Sequence, residues 1–346
     1  MRSGSCGNRP ASSPRQQRRI AVGEDHLEPI RVGINEGTGK IYANVTLLAH
    51  GGGHFKREGL DVRLMETGGR RATIPLLVSG ELEAGAQSPT YEFFQSWDPN
   101  RPMLMVADHG SVREGRGGAG GIVARPDLVA SGALRDFADL KGKRVGLSPR
   151  RYDHDWVTVS EALERGGLTV NDINVVTMSF GDVRHEALVK GEIDVTTVDR
   201  PASIKEGKES GAFMVWKHEY EIRPGRQQRA VMFGHQFWSQ RPDEAHRYVR
   251  AHIRALREYF DAFERGIGRD RVIDVLAEQC GDSREVVEET MPAGVNPDGY
   301  INIAGIAHDL HWYQSGGFLP ATLSVDRCVD HRYVEAALKE LGPHMR

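Results

Sequence analysis

Several features that define specialised protein classes are scarce in this sequence of 346 residues. Its three cysteines, Cys6, Cys280 and Cys328, are far apart and odd in number, so they predict neither a disulfide framework nor a CxxC metal pair. No apolar run approaches the roughly 18 to 20 residues that a membrane span requires. The net charge is −3 without a block of like charge, which argues against a nucleic-acid partner. With 39% hydrophobic and 27% charged residues, the composition is typical of a globular protein.

Catalytic and metal-binding motifs are present only in fragments. The run His50-Gly-Gly-Gly-His54 suggests an esterase oxyanion hole, but no G-x-S-x-G nucleophile elbow accompanies it. Three glycines disfavour the helix that would bring His50 and His54 together on a metal, and His308 and His311 lack a third ligand. The glycine run 115–121 precedes a strand and has no Lys-Ser/Thr, unlike a phosphate loop. We therefore expect no cofactor and no metal, a plain connection at His50, and a link near a hinge at 115–121.

The N-terminal residues 1–28 are polar and rich in Ser, Pro and Arg, which predicts a disordered tail. Arg18-Arg19 is followed by "IAVGEDHLEP", which is too short and too acidic for the apolar region of a signal peptide. No export signal is therefore predicted in the chain as written.

Alternating strands and helices follow the tail. "PIRVGIN" and "LDVRLMET" alternate as strands and enclose a short helix at "IYANVTLLAH", and "RRATIPLLVSGELEAGAQSP" adds a helix and a third short strand. A strand-helix-strand order of this kind predicts a mostly parallel sheet with helices on its faces.

The same order returns from residue 140 onward. "LKGKRVGLSPRR", "DWVTVSEALERGGL" and "INVVTMSF" read as strand, helix and strand, and "ALVKGEIDVTTVDRP" then matches "LLVSGELEAGAQSP" in its order of helix, Gly-Glu, strand and proline. This internal similarity predicts two lobes built on one plan. Beyond residue 239 the pattern becomes helical, with "RPDEAHRYVRAHIRALREYFDAFERG" beginning at a Pro-Asp-Glu helix start.

These segments together resemble a known family. "GHFKREGLDVRLMETGG", "LLVSGELEAGAQSP", "LKGKRVGLS", "ALVKGEIDV" and the late "GGFLP" are similar, in this order, to segments of ABC-transporter solute-binding proteins. The branch they resemble binds aliphatic sulfonates, taurine, nitrate and thiamine-pyrimidine precursors. The similarity covers about residues 31–341.

The resemblance implies a two-lobed periplasmic-binding-protein fold of α/β class, with a ligand cleft between mostly parallel, helix-flanked sheets. Lobe I would comprise residues 29–118 and 240–346, and lobe II residues 119–239. The implied function is capture of a small polar organic molecule for an ABC permease by a monomer. The implied location is the periplasm, and the missing signal leaves the cytoplasm as the alternative.

In open α/β sheets, ligands bind beyond the C-terminal ends of the strands. Loops at such strand ends are expected to face the cleft at residues 35–39, 86–90, 148–155 and 197–201. Their hydroxyl and guanidinium groups suit a sulfonate or carboxylate, while their acidic residues leave a cationic or amide ligand open. The predicted ligand-binding residues are Asn35, Glu36, Thr38, Gln87, Ser88, Thr90, Ser148, Arg150, Tyr152, Asp199 and Arg200.

Aromatic residues near these loops provide a further prediction. Tyr42, Tyr91 and Tyr152 could stack on a heterocyclic ligand, whereas core packing is favoured for Trp156. His154 lies between two aspartates, but adjacent side chains point apart, so a helix start is favoured there over a catalytic base.

The alternative function is a cytoplasmic enzyme on the same fold. The resemblance group includes aromatic-acid decarboxylases, desulfinases and a thiamine-pyrimidine synthase. This chain lacks the cysteine-rich motif of the synthase, and no cysteine lies in a predicted cleft loop for a desulfinase-type nucleophile. A decarboxylase that uses Arg150 or Arg200 with His154 stays open. A protein-interaction module with an empty cleft is a third hypothesis.

Overall fold

Two separate five-stranded sheets organise the chain. The structure is a computed structural model that describes residues 28–36, 40–42, 44–116, 120–198, 201–290 and 292–344, except the side chains at 201, 202 and 208. The first sheet contains β1 (Ile30–Asn35), β2 (Val62–Thr67), β3 (Ala84–Gln87), β4 (Leu104–Ser111) and β10 (Gln227–Phe233). The second contains β5 (Gly121–Ala124), β6 (Arg144–Leu147), β7 (Asn174–Thr177), β8 (Val195–Val198) and β9 (Met214–His218).

The two sheets share one plan. The first has the order β2-β1-β3-β10-β4, and the second has the order β7-β6-β8-β5-β9. In each, three strands run parallel and the fourth position is taken by an antiparallel strand, β10 in the first and β5 in the second. The similar segments "LLVSGELEAGAQSP" and "ALVKGEIDVTTVDRP" contain β3 and β8, which are both the third strand of their sheet. The predicted repetition is therefore present in the fold.

Helices cover both faces of each sheet. Those that pack with the first sheet are α1 (Asn44–Gly51), α2 (His54–Arg57), α3 (Arg70–Ser79), α4 (Tyr91–Gln95), α10 (His235–Gln240), α11 (Pro242–Glu264), α12 (Arg269–Cys280), α13 (Arg284–Glu289), α14 (Ile303–Ser315) and α15 (Arg332–Leu341). The helices that pack with the second sheet are α5 (Pro126–Ala130), α6 (His154–Arg165), α7 (Asp182–Val189), α8 (Pro201–Ser210) and α9 (Glu219–Ile222).

Strand β10 shows how alternation divides the first core. Val231 and Phe233 pack on one face with α1, α11, α12 and α15, while Ala230 and Met232 pack on the other with α3, α4 and α14. This follows because successive side chains of a strand point to opposite faces. Each face removes apolar surface from water, and at about 25 cal/mol per Å² this burial is the main stabilising contribution.

Helix α11 forms where the sequence predicted a long helix. Pro242 occupies its first turn. Asp243 and Glu244 place negative charge at its N-terminus, where this charge interacts favourably with the helix dipole. Its buried residues recur at helical spacing and face the first sheet. The predicted amphipathic pattern is confirmed.

The glycine run at His50 is a turn between two helices. Gly53 has φ of 75°, a left-handed conformation that glycine adopts without strain, and it separates α1 from α2. The two histidines have separate partners, since His50 Nδ1 lies 2.9 Å from Gln279 Oε1 and His54 Nε2 lies 2.7 Å from Glu258 Oε2. The interpretation as a connection agrees with this arrangement.

One boundary of the predicted lobes differs from the strand pairing. Residues 119–239 were assigned to lobe II, but β10 pairs with β3 and β4 of the first sheet, and Phe237 of α10 packs in the same core. The chain therefore returns to the first sheet before residue 240, because the alternating run 227–233 is itself a strand of that sheet. The other limits of the lobes stay predictions.

Within the part of the chain that the structure describes, none of the helices has the length and apolar character needed to cross a membrane.

Candidate functional site

A cavity lies between the C-terminal ends of strands from the two sheets. Ser88 and Thr90, which follow β3, line one side, and Thr197 and Val198, at the end of β8, line the other. It encloses about 1090 Å³ of empty space, including its open mouth. This is the location expected for a ligand in open α/β sheets.

Three guanidinium groups line this cavity. Arg70 begins α3 and donates to Glu92 Oε2 at 3.1 Å, whereas Arg226 and Arg229 lie at the start of β10. The guanidinium carbon of Arg229 lies 4.2 Å from the ring centroid of Tyr42, which also lines the cavity. Among the described lining residues, Glu219 is the one carboxylate beside these three guanidinium groups.

Arg226 is held by a buried group of charges behind the cavity. It donates to Glu219 Oε1 at 3.0 Å, and its Nε lies 3.7 Å from Asp309 Oδ2. Arg223 is 4% exposed and forms an ion pair with the same Asp309. Because buried charges are costly unless paired, these four residues fix one another, and Glu219 is engaged before any ligand enters.

His109, on β4, presents a hydrogen-bond donor. The backbone N–H of Thr46 donates to its Nε2 at 3.3 Å, so this nitrogen is an acceptor and the ring proton of the neutral form lies on Nδ1. Burial, His252 and Arg229 hold the pKa of His109 well below its usual range, which keeps the ring neutral. Among the described residues, Nδ1 has no hydrogen-bond partner. His109 is 1% exposed and lines the cavity, and its Nδ1 is itself buried.

Two hydroxyl groups among the lining residues differ in how they are engaged. Tyr259 Oη accepts from Asn44 Nδ2 at 3.0 Å and from the backbone N–H of Ala293 at 3.2 Å, which leaves its own proton to donate. Thr158 Oγ1, on α6, is buried and has no hydrogen-bond partner among the described residues. The lining residues therefore include guanidinium groups, which only donate, together with hydroxyl groups that can donate or accept.

The cleft continues into a second recess. Both spaces are lined by Arg70, His154, Thr197 and Val198. The wall of the recess contains Arg184, which is buried.

Arg184 is completely engaged in its wall. It donates to Asp155 Oδ2 at 2.8 Å and to Ser148 Oγ at 3.0 Å, and its guanidinium carbon lies 3.9 Å from the ring centroid of Phe180. Arg184 therefore connects the loop that follows β6 with the loop that follows β7 and supports this wall.

The predicted residues of the first sheet lie at different depths. Ser88 and Thr90 line the cavity. Gln87 is buried and donates to Thr73 Oγ1 at 3.3 Å, so it supports the strand end from below. Asn35 is half-buried, with an Oδ1 that has no hydrogen-bond partner among the described residues, and Glu36 is exposed.

Of the residues predicted beside the second sheet, Ser148, Arg150 and Tyr152 are described, and none of these three lines the cavity. Ser148 is buried against Arg184, and Arg150 is exposed. Tyr152 stacks on Tyr91 with 4.0 Å between ring centroids. Thr38, Asp199 and Arg200 lie outside the described residues. A ligand-binding role for these residues stays a prediction.

Several lining residues were missed by the sequence analysis, namely Arg70, His109, Thr158, Arg226 and Arg229. An available signal was a titratable side chain at the end of an apolar run in a strand, as with His109 in "LMVADHGS" and Arg229 in "QQRAVMF". Trp156, by contrast, is 6% exposed and donates to Ser148 O at 2.8 Å, in agreement with the favoured core packing.

The cysteines that the structure describes do not line the cavity. Cys280 and Cys328 are buried in apolar cores, and burial raises the pKa of each thiol to about 12. Across the described ranges, no three His, Cys, Asp or Glu side chains are grouped to hold a metal ion.

Comparisons with known proteins agree with this architecture. The sequence model of the family described as NMT1/THI5 like matches residues 41–262, more than half of the chain. No curated protein gives a significant sequence match.

Solved structures match nearly the whole chain. The periplasmic sulfonate-binding protein SsuA from Methylobacillus flagellatus KT has a TM-score of 0.69 and 16% identity, covering 92% of this chain and 98% of that one. The periplasmic aliphatic sulphonate binding protein SsuA from Escherichia coli has a TM-score of 0.67 and 16% identity, covering 88% and 92%. The desulfurization enzyme DSZB has a TM-score of 0.63 and 16% identity, covering 91% and 100%. The predicted two-lobed α/β fold is confirmed.

Proposed function

The chain belongs to the NMT1/THI5-like family, and on that premise we propose that it is a solute-binding protein that encloses a small organic anion between its lobes for an ABC importer. The observation that carries this proposal is the donor-rich wall of the cavity. A ligand there must supply oxygen acceptors and negative charge, because otherwise it would leave buried donors unpaired at about 1 to 3 kcal/mol each. Sulfonates and carboxylates meet this requirement.

The proposed recognition combines charge with fixed direction. Arg70 and Arg229 line the cavity from the first sheet and can form charge-assisted hydrogen bonds with an oxyanion. The His109 ring and the Tyr259 hydroxyl are both neutral near neutral pH. Burial lowers the pKa of the His109 imidazolium, so the ring does not take up a second proton, and burial raises the pKa of the Tyr259 hydroxyl, so it keeps its proton. They therefore add direction to the attraction without adding charge.

The proposed mechanism is closure of the two lobes rather than chemistry. The lobes would rotate about the two stretches that join the sheets, between β4 and β5 and between β9 and β10. Gly121 begins β5 beside Lys217 of β9, and a side chain at Gly121 would collide with the Lys217 carbonyl oxygen. The stretch between β9 and β10 carries Arg223 and Arg226, which both contact Asp309 of α14. Because both stretches are held by close contacts, we expect the lobes to move as rigid bodies. Rotation of one lobe against the other is then the movement that admits the ligand.

Delivery to a permease, a periplasmic location and a monomeric state belong to the same proposal. The first two are supported by the fold shared with periplasmic sulfonate-binding proteins, and the monomeric state is an expectation that accompanies them. No described helix could anchor the protein by spanning a membrane.

Isothermal titration calorimetry on the full chain tests the proposal. Ethanesulfonate, benzoate, taurine, nitrate and a neutral pyrimidine would be titrated into the wild type, Arg229→Gln and Arg63→Gln. We expect at least one anion to bind, and Arg229→Gln to weaken it about tenfold to a hundredfold, since a hydrogen bond to a charged group contributes roughly 1.5–3 kcal/mol. The exposed Arg63 is remote from the cavity and serves as the matched control. Absence of binding to every solute contradicts the proposal.

The second candidate function is a lyase on the same fold, favoured by the likeness to the desulfurization enzyme DSZB. His154 lines the cleft, and its burial together with nearby arginines holds its pKa well below the usual range, so it could act only as a neutral base. Product formation from aromatic carboxylates or sulfinates, lost in His154→Ala, would favour the enzyme. Binding without turnover favours the solute-binding protein.

A further inference from the structure

Helix α6, which packs with the second sheet, also contributes a side chain to a core of the first sheet. Val157 of α6 is 1% exposed and belongs to the apolar cluster that contains Ala230 and Met232 of β10. The other described residues of that cluster all lie in segments that pack with the first sheet. Val159, two residues further along α6, is 2% exposed and packs instead with β5, β6 and β8 of the second sheet. The helix is therefore shared between two hydrophobic cores.

Two polar contacts flank Val157 on the same side of α6. Asp153, immediately before the helix, forms an ion pair with Arg71 of α3, and Glu161 Oε2 lies 2.7 Å from His308 Nε2 of α14. Asp153, Val157 and Glu161 are spaced by four residues, and residues four apart on a helix are neighbours on its surface. One side of α6 therefore meets helices of the first sheet over about two turns.

Aromatic rings extend this contact beyond the start of α6. Tyr152 stacks on Tyr91 of α4 with 4.0 Å between ring centroids, and it meets Phe318 edge-on at 6.3 Å. Trp312 of α14 stacks on Phe318 and packs against the apolar clusters of both sheets. We call this apolar contact the α6 seam, formed by Tyr91, Tyr152, Val157, Trp312 and Phe318. None of the five is among the described residues that line the cavity or the recess beside it.

Opening the cleft would break the α6 seam. A rotation that separates Arg71 from Asp153 also moves Val157, one turn further along the helix, away from the first-sheet cluster. Water would then reach the Val157 side chain and the stacked faces of Tyr91 and Tyr152, and exposing apolar surface to water is unfavourable. The seam therefore favours the closed cleft through residues that are remote from the guanidinium wall.

We propose that the α6 seam sets the equilibrium between the closed and the open cleft, and that Val157 is a positioning residue that raises ligand affinity without touching the ligand. This inference rests on the proposed solute-binding function and specifies what regulates it. Apparent affinity falls when the binding-competent arrangement is only partly populated, so a weaker seam weakens binding. Val157→Ala removes two carbon atoms from the seam and should shift the equilibrium toward the open cleft about tenfold.

Small-angle X-ray scattering on the full chain without ligand tests the seam directly. Val157→Ala should increase the radius of gyration relative to wild type. Val159→Ala is the matched control, because it removes the same two carbon atoms from an equally buried position of the same helix but within the second core. Urea denaturation should show similar losses of stability in both variants, and the control should keep the wild-type radius of gyration. Equal radii of gyration in the two variants overturn the inference.

A second variant tests the seam at a site where folding is less at risk. Tyr152 is only half-buried, so Tyr152→Ala removes the stack on Tyr91 without opening a cavity in a core. It should also increase the radius of gyration of the unliganded chain. Wild-type dimensions in Tyr152→Ala would contradict a seam that holds the cleft closed.

Calorimetric titration with ethanesulfonate measures the effect of the seam on binding. We expect affinity to fall about threefold to tenfold in Val157→Ala and to stay within about twofold of wild type in Val159→Ala. An increased radius of gyration with unchanged affinity in Val157→Ala would contradict the link between seam and binding. Failure of the wild type to bind any solute contradicts the solute-binding function itself, whereas the scattering result, obtained without ligand, still decides whether the seam holds the cleft closed.

Discussion

Arg71 in the first turn of α3 forms an ion pair with Asp153, the residue that precedes α6. Helix α3 follows a strand of the first sheet and α6 follows a strand of the second, so the pair joins the two sides of the cleft. Asp153 is 5% exposed, while Arg71 remains partly accessible and also contacts Glu92 Oε1 at 3.1 Å. The pair can form only when the start of α3 and the loop before α6 are close to each other. It therefore stabilises the closed arrangement of the cleft.

Asp153→Asn should shift the protein toward an open arrangement. A partly exposed ion pair contributes about 1 kcal/mol, so we expect ligand affinity to fall about threefold to tenfold because closure then costs part of the binding energy. Calorimetry would measure the affinity, and small-angle X-ray scattering the radius of gyration, which should increase in the unliganded variant.

The matched control for closure is Asp61→Asn. Asp61 pairs with Arg63 at 3.2 Å on an exposed surface of the first sheet. It should change neither affinity nor radius of gyration. If Asp153→Asn behaves like this control, the ion pair does not contribute to closure.

Asp155→Asn should destabilise the protein strongly. Arg184 and Asp155 form a pair in which both side chains are almost completely buried, and removing one charge leaves the other buried without compensation. We expect a loss of about 3–5 kcal/mol in the free energy of unfolding, measured by urea denaturation. Glu186→Gln removes an exposed pair with Lys190 on the same helix as Arg184 and should cost less than about 0.5 kcal/mol. Equal effects of the two variants would contradict the assigned importance of burial.

His252 should make the protein sensitive to acid. It is fully buried in α11, donates from Nε2 to Asp108 O at 2.8 Å, and has its pKa lowered to about 4, chiefly by burial. The ordinary pKa of about 6.5 applies after unfolding, so the unfolded chain binds the proton more readily. The contribution is complete above about pH 6.5 and is lost as pH falls toward 4, amounting to about 2 kcal/mol between pH 7 and 5.

His252→Gln keeps a donor for Asp108 O and removes the titrating ring. The difference in the free energy of unfolding between wild type and this variant should therefore shrink by about 2 kcal/mol on going from pH 7 to 5. Urea denaturation at the two pH values measures it. An unchanged difference would show that His252 binds protons equally in the folded and unfolded states, so that burial does not lower its pKa.

His109→Phe should weaken anion binding without abolishing it. The substitution keeps the ring volume and removes the Nδ1–H that faces no acceptor among the described residues. We expect about tenfold to a hundredfold lower affinity for an organic anion, because one hydrogen bond contributes roughly 1.5–3 kcal/mol when the acceptor is charged. The exposed His311, which contacts Ser315, provides the control variant His311→Phe. Unchanged affinity in His109→Phe would remove His109 from the binding wall.

The fold was accessible from the sequence because its signals are local and repeated. The alternation in "PIRVGIN" and "LDVRLMET" specifies adjacent parallel strands, and the two Gly-Glu segments specify the third strand of each sheet. Ser88 and Thr90 were found for the same reason, since the end of a parallel strand marks the ligand side of a sheet.

The rest of the site depends on contacts between residues remote in sequence. Arg229 lines the cavity because β10 inserts between β3 and β4, a pairing that local periodicity does not specify. The proton of neutral His109 lies on Nδ1 only because the N–H of Thr46, on α1, donates to the other ring nitrogen. Ser148 follows a strand as the rule requires, but its hydroxyl accepts from Arg184, a partner that the sequence does not indicate.

The central claim is that the cavity selects an organic anion through donors. Isothermal titration calorimetry with benzenesulfonate and benzenesulfonamide tests it most directly, because the two have nearly the same shape and differ in charge and in the presence of N–H donors. The account predicts that benzenesulfonate binds at least about thirtyfold more tightly, equivalent to roughly 2 kcal/mol. Equal affinity, or a preference for the neutral sulfonamide, would contradict it.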